Sequence, residues 1–252
     1  MFRALKSRAL VAATALAATA ALTACGTDTT TGAASGSGAS AGTSAPAATA
    51  EPSPEQPSMG ELYTKVRAAS LAATSGHLSG TVTQDGEKTT LDISGTADGS
   101  NQKLVLGVGK GEAEILTVGG KYYMAGDEDF WTEQTGDAKA SDALVGKYVQ
   151  ISAADAKELG DLNLGALLSE MFEQSELSTL EKLTSSVETR TEDGSQVWVA
   201  SDGSGSEIWV DPETERLVKI VVTGKDAGEL TFDSWDAAKK VKAPPAEDVV
   251  TP

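Results

Sequence analysis

Leu91-Asp92-Ile93-Ser94-Gly95-Thr96-Ala97, followed beyond Asp98-Gly99 by Leu104-Val105-Leu106-Gly107-Val108, is the stretch that decides the fold class. Leu91, Ile93, Gly95 and Ala97 share one face of an extended chain, and Thr90, Asp92, Ser94 and Thr96 share the other. Leu104, Leu106 and Val108 repeat the pattern. A period of two is that of a half-buried strand, and an Asp-Gly pair between two such runs is a turn signal. The same alternation runs from His77 to Gly126, with further turns at Asp85-Gly86 and Gly119-Gly120, and predicts consecutive antiparallel strands.

Upstream, Ser58-Met59-Gly60-Glu61 has the spacing of a capping box, and Leu62, Val66, Ala69 and Ala73 follow at helical intervals up to a stop at Gly76. Downstream, residues 137–183 are helical in character. Their clearest element places Leu164, Leu167, Leu168, Met171 and Phe172 on one apolar face. Strands resume over Ser195–Ser201, Glu207–Asp211, Leu217–Thr223 and Glu229–Trp235, with Asp211-Pro212-Glu213-Thr214 as a turn. The predicted fold is α+β: one large antiparallel sheet, two blocks of about five strands separated by a helical insertion, covered on one face by helices.

The N-terminus reads as an export signal. Arg3, Lys6 and Arg8 precede an Ala-rich apolar run from Ala9 to Leu22, shorter than the roughly 20 residues a membrane span needs. Residues 26–58 are Thr, Ala, Gly, Ser and Pro with almost no large apolar side chain, the composition of a flexible tether. A chain of that length has a root-mean-square reach on the order of 30 Å. The division expected is therefore signal 1–24, lipidated cysteine and tether 25–58, folded domain 59–242 and a frayed tail 243–252.

The chain has 20 Lys and Arg against 37 Asp and Glu, a net charge of −17 that becomes −20 when the three cations of the signal leave. Such a surface argues against nucleic acid, whose recognition rests on basic patches. Cys25 is the single cysteine, so the domain must be stable without disulfides.

Catalytic and metal signatures are weak. Gly38-Ala39-Ser40-Ala41-Gly42 matches a nucleophile elbow only formally, since no strand or helix flanks it. His77 is the single histidine, too few for a triad with a second base or for zinc. Asp127, Glu128, Asp129 and Glu133 lack the glycine and final glutamate of a calcium loop, and read as a solvated loop. Gly107-Val108-Gly109-Lys110-Gly111 joins two strands and opens no helix, so it reads as a hairpin turn or bulge. No enzyme, cofactor or metal is expected.

Leu22-Thr23-Ala24-Cys25-Gly26 resembles a bacterial lipobox. With the order of elements and the segments Lys121-Tyr122-Tyr123-Met124 and Glu207-Ile208-Trp209-Val210-Asp211-Pro212, the chain resembles actinobacterial lipoproteins of the LppX/LprG type and, more distantly, the LolA/LolB-like lipoprotein-carrier fold. The resemblance implies cleavage before Cys25, a diacylglycerol thioether on its sulfur, palmitate-type acylation and a monomer anchored on the outer face of the cytoplasmic membrane. It further implies a curved half-barrel sheet closed by helices over an apolar cavity holding a lipid or glycolipid, lined in part by Leu164, Leu167, Leu168, Met171 and Phe172. A non-enzymatic interaction or regulatory module with a solid core and a protein partner is the alternative. An unfilled apolar interior separates the two.

Overall fold

The computed structural model describes residues 56–84, 86–152, 155–156, 162–172, 187–201, 205–225 and 227–250. The signal, Cys25, Ser40 and the tether up to residue 55 lie outside them, as do residues 173–186 of the expected helical region. Helix α1 spans Met59–Leu71 and is followed by β1 (Ser75–Gln84), β2 (Glu87–Thr96), β3 (Asn101–Val108), β4 (Gly111–Val118) and β5 (Lys121–Gly126). Next come α2 (Glu128–Thr135), α3 (Ala138–Asp142), β6 (Tyr148–Ile151) and α4 (Leu164–Met171). The chain closes with β7 (Glu188–Glu192), β8 (Ser195–Ser201), β9 (Glu207–Val210), β10 (Leu217–Val222), β11 (Gly228–Asp233) and the short β12 (Val249–Val250).

Among the described residues the twelve strands form one open sheet in the order β12-β6-β5-β4-β3-β2-β1-β11-β10-β9-β8-β7. Every pairing is antiparallel except β12 with β6. The expected α+β class and both strand blocks are present. The first block walks outward from β1 and the second walks inward to β11, so the two meanders meet along β1–β11, from His77 opposite Asp233 to Val82 opposite Gly228.

Alternation along the strands concentrates apolar side chains on one face. Phe232, Leu78, Ile93, Leu104, Ile115 and Met124 stand opposite one another in register across six neighbouring strands, and all are buried. Each such side chain contributes roughly 1.5–3 kcal/mol by leaving water. Leu62 and Val66 of α1, Leu164, Leu167 and Leu168 of α4 and Phe130 and Trp131 of α2 belong to the same core. Gly111 and Gly126 let α2 dock: a Cβ on Gly126 would run into the Phe130 ring, and one on Gly111 would meet the Phe130 backbone nitrogen at 2.5 Å.

The opposite face is mixed: Leu116, Tyr123, Val197 and Val199 are buried on it, and charged and polar side chains cross-link it. Lys103 and Tyr148 converge on Glu114, each at 2.6 Å, and Arg190 and Lys219 flank the ring of Trp209 at 5.5 and 4.6 Å. His77 Nδ1 lies 2.9 Å from Asp233. Burial alone would lower the His77 imidazole, but Asp233, with Asp92 beyond it, outweighs burial and raises it. Exposed pairs of this kind contribute about 1 kcal/mol or less each.

Five expectations are corrected. The capping box at Ser58 and Glu61 is present, but α1 ends at Leu71 with Ala72 as its cap, and Gly76 lies inside β1. Glycine is needed there for closeness, since a Cβ would stand 2.9 Å from Leu164 Cδ2. The acidic segment from Asp127 to Glu133 is α2, not a loop. Asp127 caps it by accepting from the Phe130 amide at 2.8 Å, and acidic residues suit a helix's positive end. The helical region also contains a strand, β6. Edge strand β7, Glu-Thr-Arg-Thr-Glu, carries no apolar alternation, which is how exposed sheet edges avoid further pairing. Finally, the tail from Ala243 does not fray through Val250: Asn101 and Val241 exchange two hydrogen bonds, Lys147 pairs with Asp248 at 2.8 Å, and β12 joins β6.

Asp236 fixes the start of this tail. Its carboxylate accepts from the Thr74 amide at 2.7 Å and hydroxyl at 2.8 Å and from Arg216, which together hold it down to about 2. Asp236→Ala is expected to lower the unfolding free energy by about 0.5–1.5 kcal/mol in urea titrations near neutral pH, solvent screening limiting what an exposed carboxylate contributes. A depressed carboxylate stabilises fully above the ordinary carboxylate range and stops doing so as pH falls through its folded value. The gap between wild type and variant should therefore close on acidification toward about pH 2; a gap that widens there would contradict this role.

Candidate functional site

α4 begins where Asn163 accepts from the Ala166 amide at 2.8 Å, and it is held to the sheet by two contacts at its N-terminal end. Gln102 Nε2 donates to the Leu162 carbonyl at 2.8 Å, and the Gly165 amide donates to the Ala97 carbonyl at 2.9 Å. A Cβ on Gly165 would stand 2.7 Å from that oxygen, so only glycine allows the helix this close to the β2–β3 turn. At its other end the Phe172 ring meets Tyr63 edge-on at 5.6 Å, and Arg67 Nε donates to the Phe172 carbonyl at 3.2 Å. α1 and α4 are thus pinned to each other at one end and to the sheet at the other.

Between those pins lies an open cleft of about 390 Å³. Ser70, Leu71 and Ala73 come from the end of α1, Ala97 and Asp98 from the β2–β3 turn, and Asn163, Gly165, Leu168 and Ser169 from α4. The volume falls in the range of small-molecule sites. Of the residues expected to line a cavity, Leu168 faces this cleft, while Leu164, Leu167 and Phe172 are buried in the core and Met171 packs partly buried against it. The side chains of α4 therefore fill most of the space beneath the helix.

Asp98 is the one charged residue of the lining, and it stays ionised. The Thr96 hydroxyl and the Ser100 amide, the latter at 2.9 Å, hold its carboxyl below the ordinary value. Ser70 is fully buried and its hydroxyl has no hydrogen-bond partner. Gln102 Oε1 is buried and unpaired as well, and lies beside Gly99 and Asn163. Leaving such a group unpaired costs about 1–3 kcal/mol.

Ser70, Asp98 and Asn163 escaped the sequence reading. Asn163 carries a signal, being a preferred N-cap residue just before an apolar helical run. Ser70 carries none, because its role depends on α4 crossing beside it. Among the described residues no group of three metal-ligating side chains occurs, and no helix is long and apolar enough to cross a membrane.

Truncating the packed helix should cost stability unevenly. Leu164→Ala leaves an enclosed void over Gly76, whereas Leu168→Ala opens into the cleft. Both are expected to destabilise by about 2–5 kcal/mol, Leu164→Ala by more, in urea unfolding. The reverse order would contradict the packing described.

No protein-family model matches this chain, and no curated protein matches its sequence. Among solved structures it is similar to LprF from Mycobacterium bovis, at 14% identity and a TM-score of 0.46, covering 76% of this chain and 99% of that one. It is also similar to the Mycobacterium tuberculosis lipoprotein LppX, at 14% identity and a TM-score of 0.37, covering 73% and 98%.

Proposed function

We propose that this chain is a cell-envelope lipoprotein, held to the outer face of the cytoplasmic membrane by a diacylglycerol on Cys25, whose domain binds the acyl portion of a lipid or glycolipid in the α1–α4 cleft. The cleft itself carries the reading. Its walls include Leu71, Ala73, Ala97 and Leu168, and it is open to solvent beside a packed core. The lipobox at Leu22–Cys25 and the tether behind it support the anchoring half.

The size of the site sets the strength of binding. Burying about 200 Å² of acyl surface contributes on the order of 5 kcal/mol, before the cost of immobilising the ligand is subtracted. By that contribution alone Kd values are about 0.2 mM or weaker, which suits a protein that loads and unloads.

The filled space beneath α4 favours a second reading, an interaction module that uses the charged outer face of its sheet for a protein partner. Two measurements separate the possibilities. Cys25→Ser should move the chain from the membrane fraction to the soluble fraction of the producing cell, and a variant that stays in the membrane would refute the anchor. Native mass spectrometry of the domain from Ser58 onward, purified from a lipid-rich host, should show a co-purifying lipid that Leu168→Lys abolishes while circular dichroism is unchanged. A clean, ligand-free domain would refute the lipid site and favour the interaction module.

A further inference from the structure

We propose that His77 is a proton-operated clasp on the central seam of the sheet: as an imidazolium it bridges the carboxylates of Asp92 on β2 and Asp233 on β11 across β1, and without its proton it can hold only one of them.

Strand register brings the three groups together. His77 stands opposite Asp233 on β11 and opposite Ser94 on β2, and Asp92 lies two residues from Ser94 on the same face. Nδ1 is 2.9 Å from Asp233 Oδ2 and Nε2 is 3.5 Å from Asp92 Oδ1, so a carboxylate faces each ring nitrogen. The other Asp233 oxygen is taken by the Ser234 hydroxyl at 2.7 Å. A neutral imidazole carries one N–H and one bare lone pair, and can donate on one side alone. Loss of the proton therefore sets a lone pair against a carboxylate, and the bond that remains is no longer charge-assisted.

The other charged groups around the ring are engaged or further off. Lys103, next after Ser94 in the same row, pairs with Glu114 at 2.6 Å. Glu229 stands opposite Thr81, toward the other end of the seam. Asp236, whose amide donates to the Ser75 carbonyl, is held by Thr74 and Arg216, and Lys239 and Lys240 are exposed beyond the bond from the Ala238 amide to the Ser75 hydroxyl. The helices lie on the other face of the sheet.

The clasp sits where α4 rests on β1. Gly76, beside His77, lies under Leu164 of α4, and Ala73, four residues before His77, lines the cleft. Its working range follows from the two partners. Burial would lower the imidazole, but Asp233 and Asp92 outweigh it and raise it above its ordinary 6.5. The tie is then complete below that value and is lost as pH rises through the folded one. Burial would raise the Asp233 carboxyl, but Ser234 and His77 outweigh it and hold it below its ordinary 3.8, so acid opens the clasp only below that. The clasp is closed in the mildly acidic range between the two.

The test is an NMR pH titration of the untagged full chain, whose single histidine gives one ring signal. Its midpoint is expected above that of the same histidine in an unfolded peptide of residues 74–80, and Asp92→Asn and Asp233→Asn should each lower it. Amide exchange along the β1–β11 seam, corrected for its intrinsic pH dependence, should quicken about threefold as pH passes that midpoint in the wild type but not in His77→Gln. A wild-type midpoint at or below the peptide's, one that Asp233→Asn leaves unmoved, or a seam that loosens equally in His77→Gln would overturn the clasp. None of these outcomes depends on a ligand.

Discussion

The pairing of β1 with β11 is the contact on which everything else depends. Each five-strand meander is built from local hairpins, and each presents an apolar face it cannot bury alone. Only where β11 lies against β1 do the faces become continuous, so that Phe232 extends the row that Leu78 shares with Ile93 and Leu104. The residues that meet are remote in sequence, Ser79 and Thr231 being 152 positions apart and hydrogen-bonded side chain to side chain. Closing so long a loop is costly before it is rewarded, which marks this seam as a late and cooperative step of folding. The ties around it have a matching logic. Asp236 binds the turn after β11 to Thr74, just before β1, and Trp235 stacks on Phe232 with its ring nitrogen donating to the Leu217 carbonyl.

The cleft follows from how α4 lies on this sheet. Gly76 and Gly165 remove the side chains that would hold the helix away, the first under Leu164 and the second against Ala97. The helix therefore sinks at its N-terminal end and fills the core with Leu164, Leu167 and Leu168. α1 meets it at the far end through Tyr63 and Phe172. What remains between them is a notch whose apolar wall comes from residues that also serve the core and whose polar wall comes from a turn and two helix ends. Binding is thus placed on rigid elements, and the same packing that stabilises the domain limits how much ligand it can hold.

The sheet was legible because its residues alternate. Leu91, Ile93, Leu104 and Leu106 lie on one buried or half-buried face, as their period requires, and Asp211 makes the expected turn by accepting from the Glu213 amide at 2.7 Å. β7 was not legible, because an edge strand of Glu, Thr and Arg has no apolar side to reveal it. β6 was hidden by its shortness and by the helices on both sides of it. The apolar face of α4 was legible, but its destination was not: Leu164 and Leu168 carry the same periodic signal, and only the three-dimensional arrangement puts one over Gly76 and the other beside the cleft. Periodicity reports which side of an element avoids water, not whether a protein side chain or a ligand covers it. Ser70 shows the same gap, since a serine within a helical pattern reads as an ordinary surface residue until a second helix crosses it.

The most direct test of the account is paramagnetic relaxation in the NMR spectrum of the domain loaded with a single-chain lipid that carries a nitroxide on its acyl chain. Broadening confined to the amides of Ser70 to Ala73, Ala97 to Asp98 and Gly165 to Ser169 is the result the account predicts. Broadening spread over the charged outer face around Trp209 and His77, or none at all at saturating ligand, would contradict it and show that the cleft between α1 and α4 is not where this protein meets its ligand.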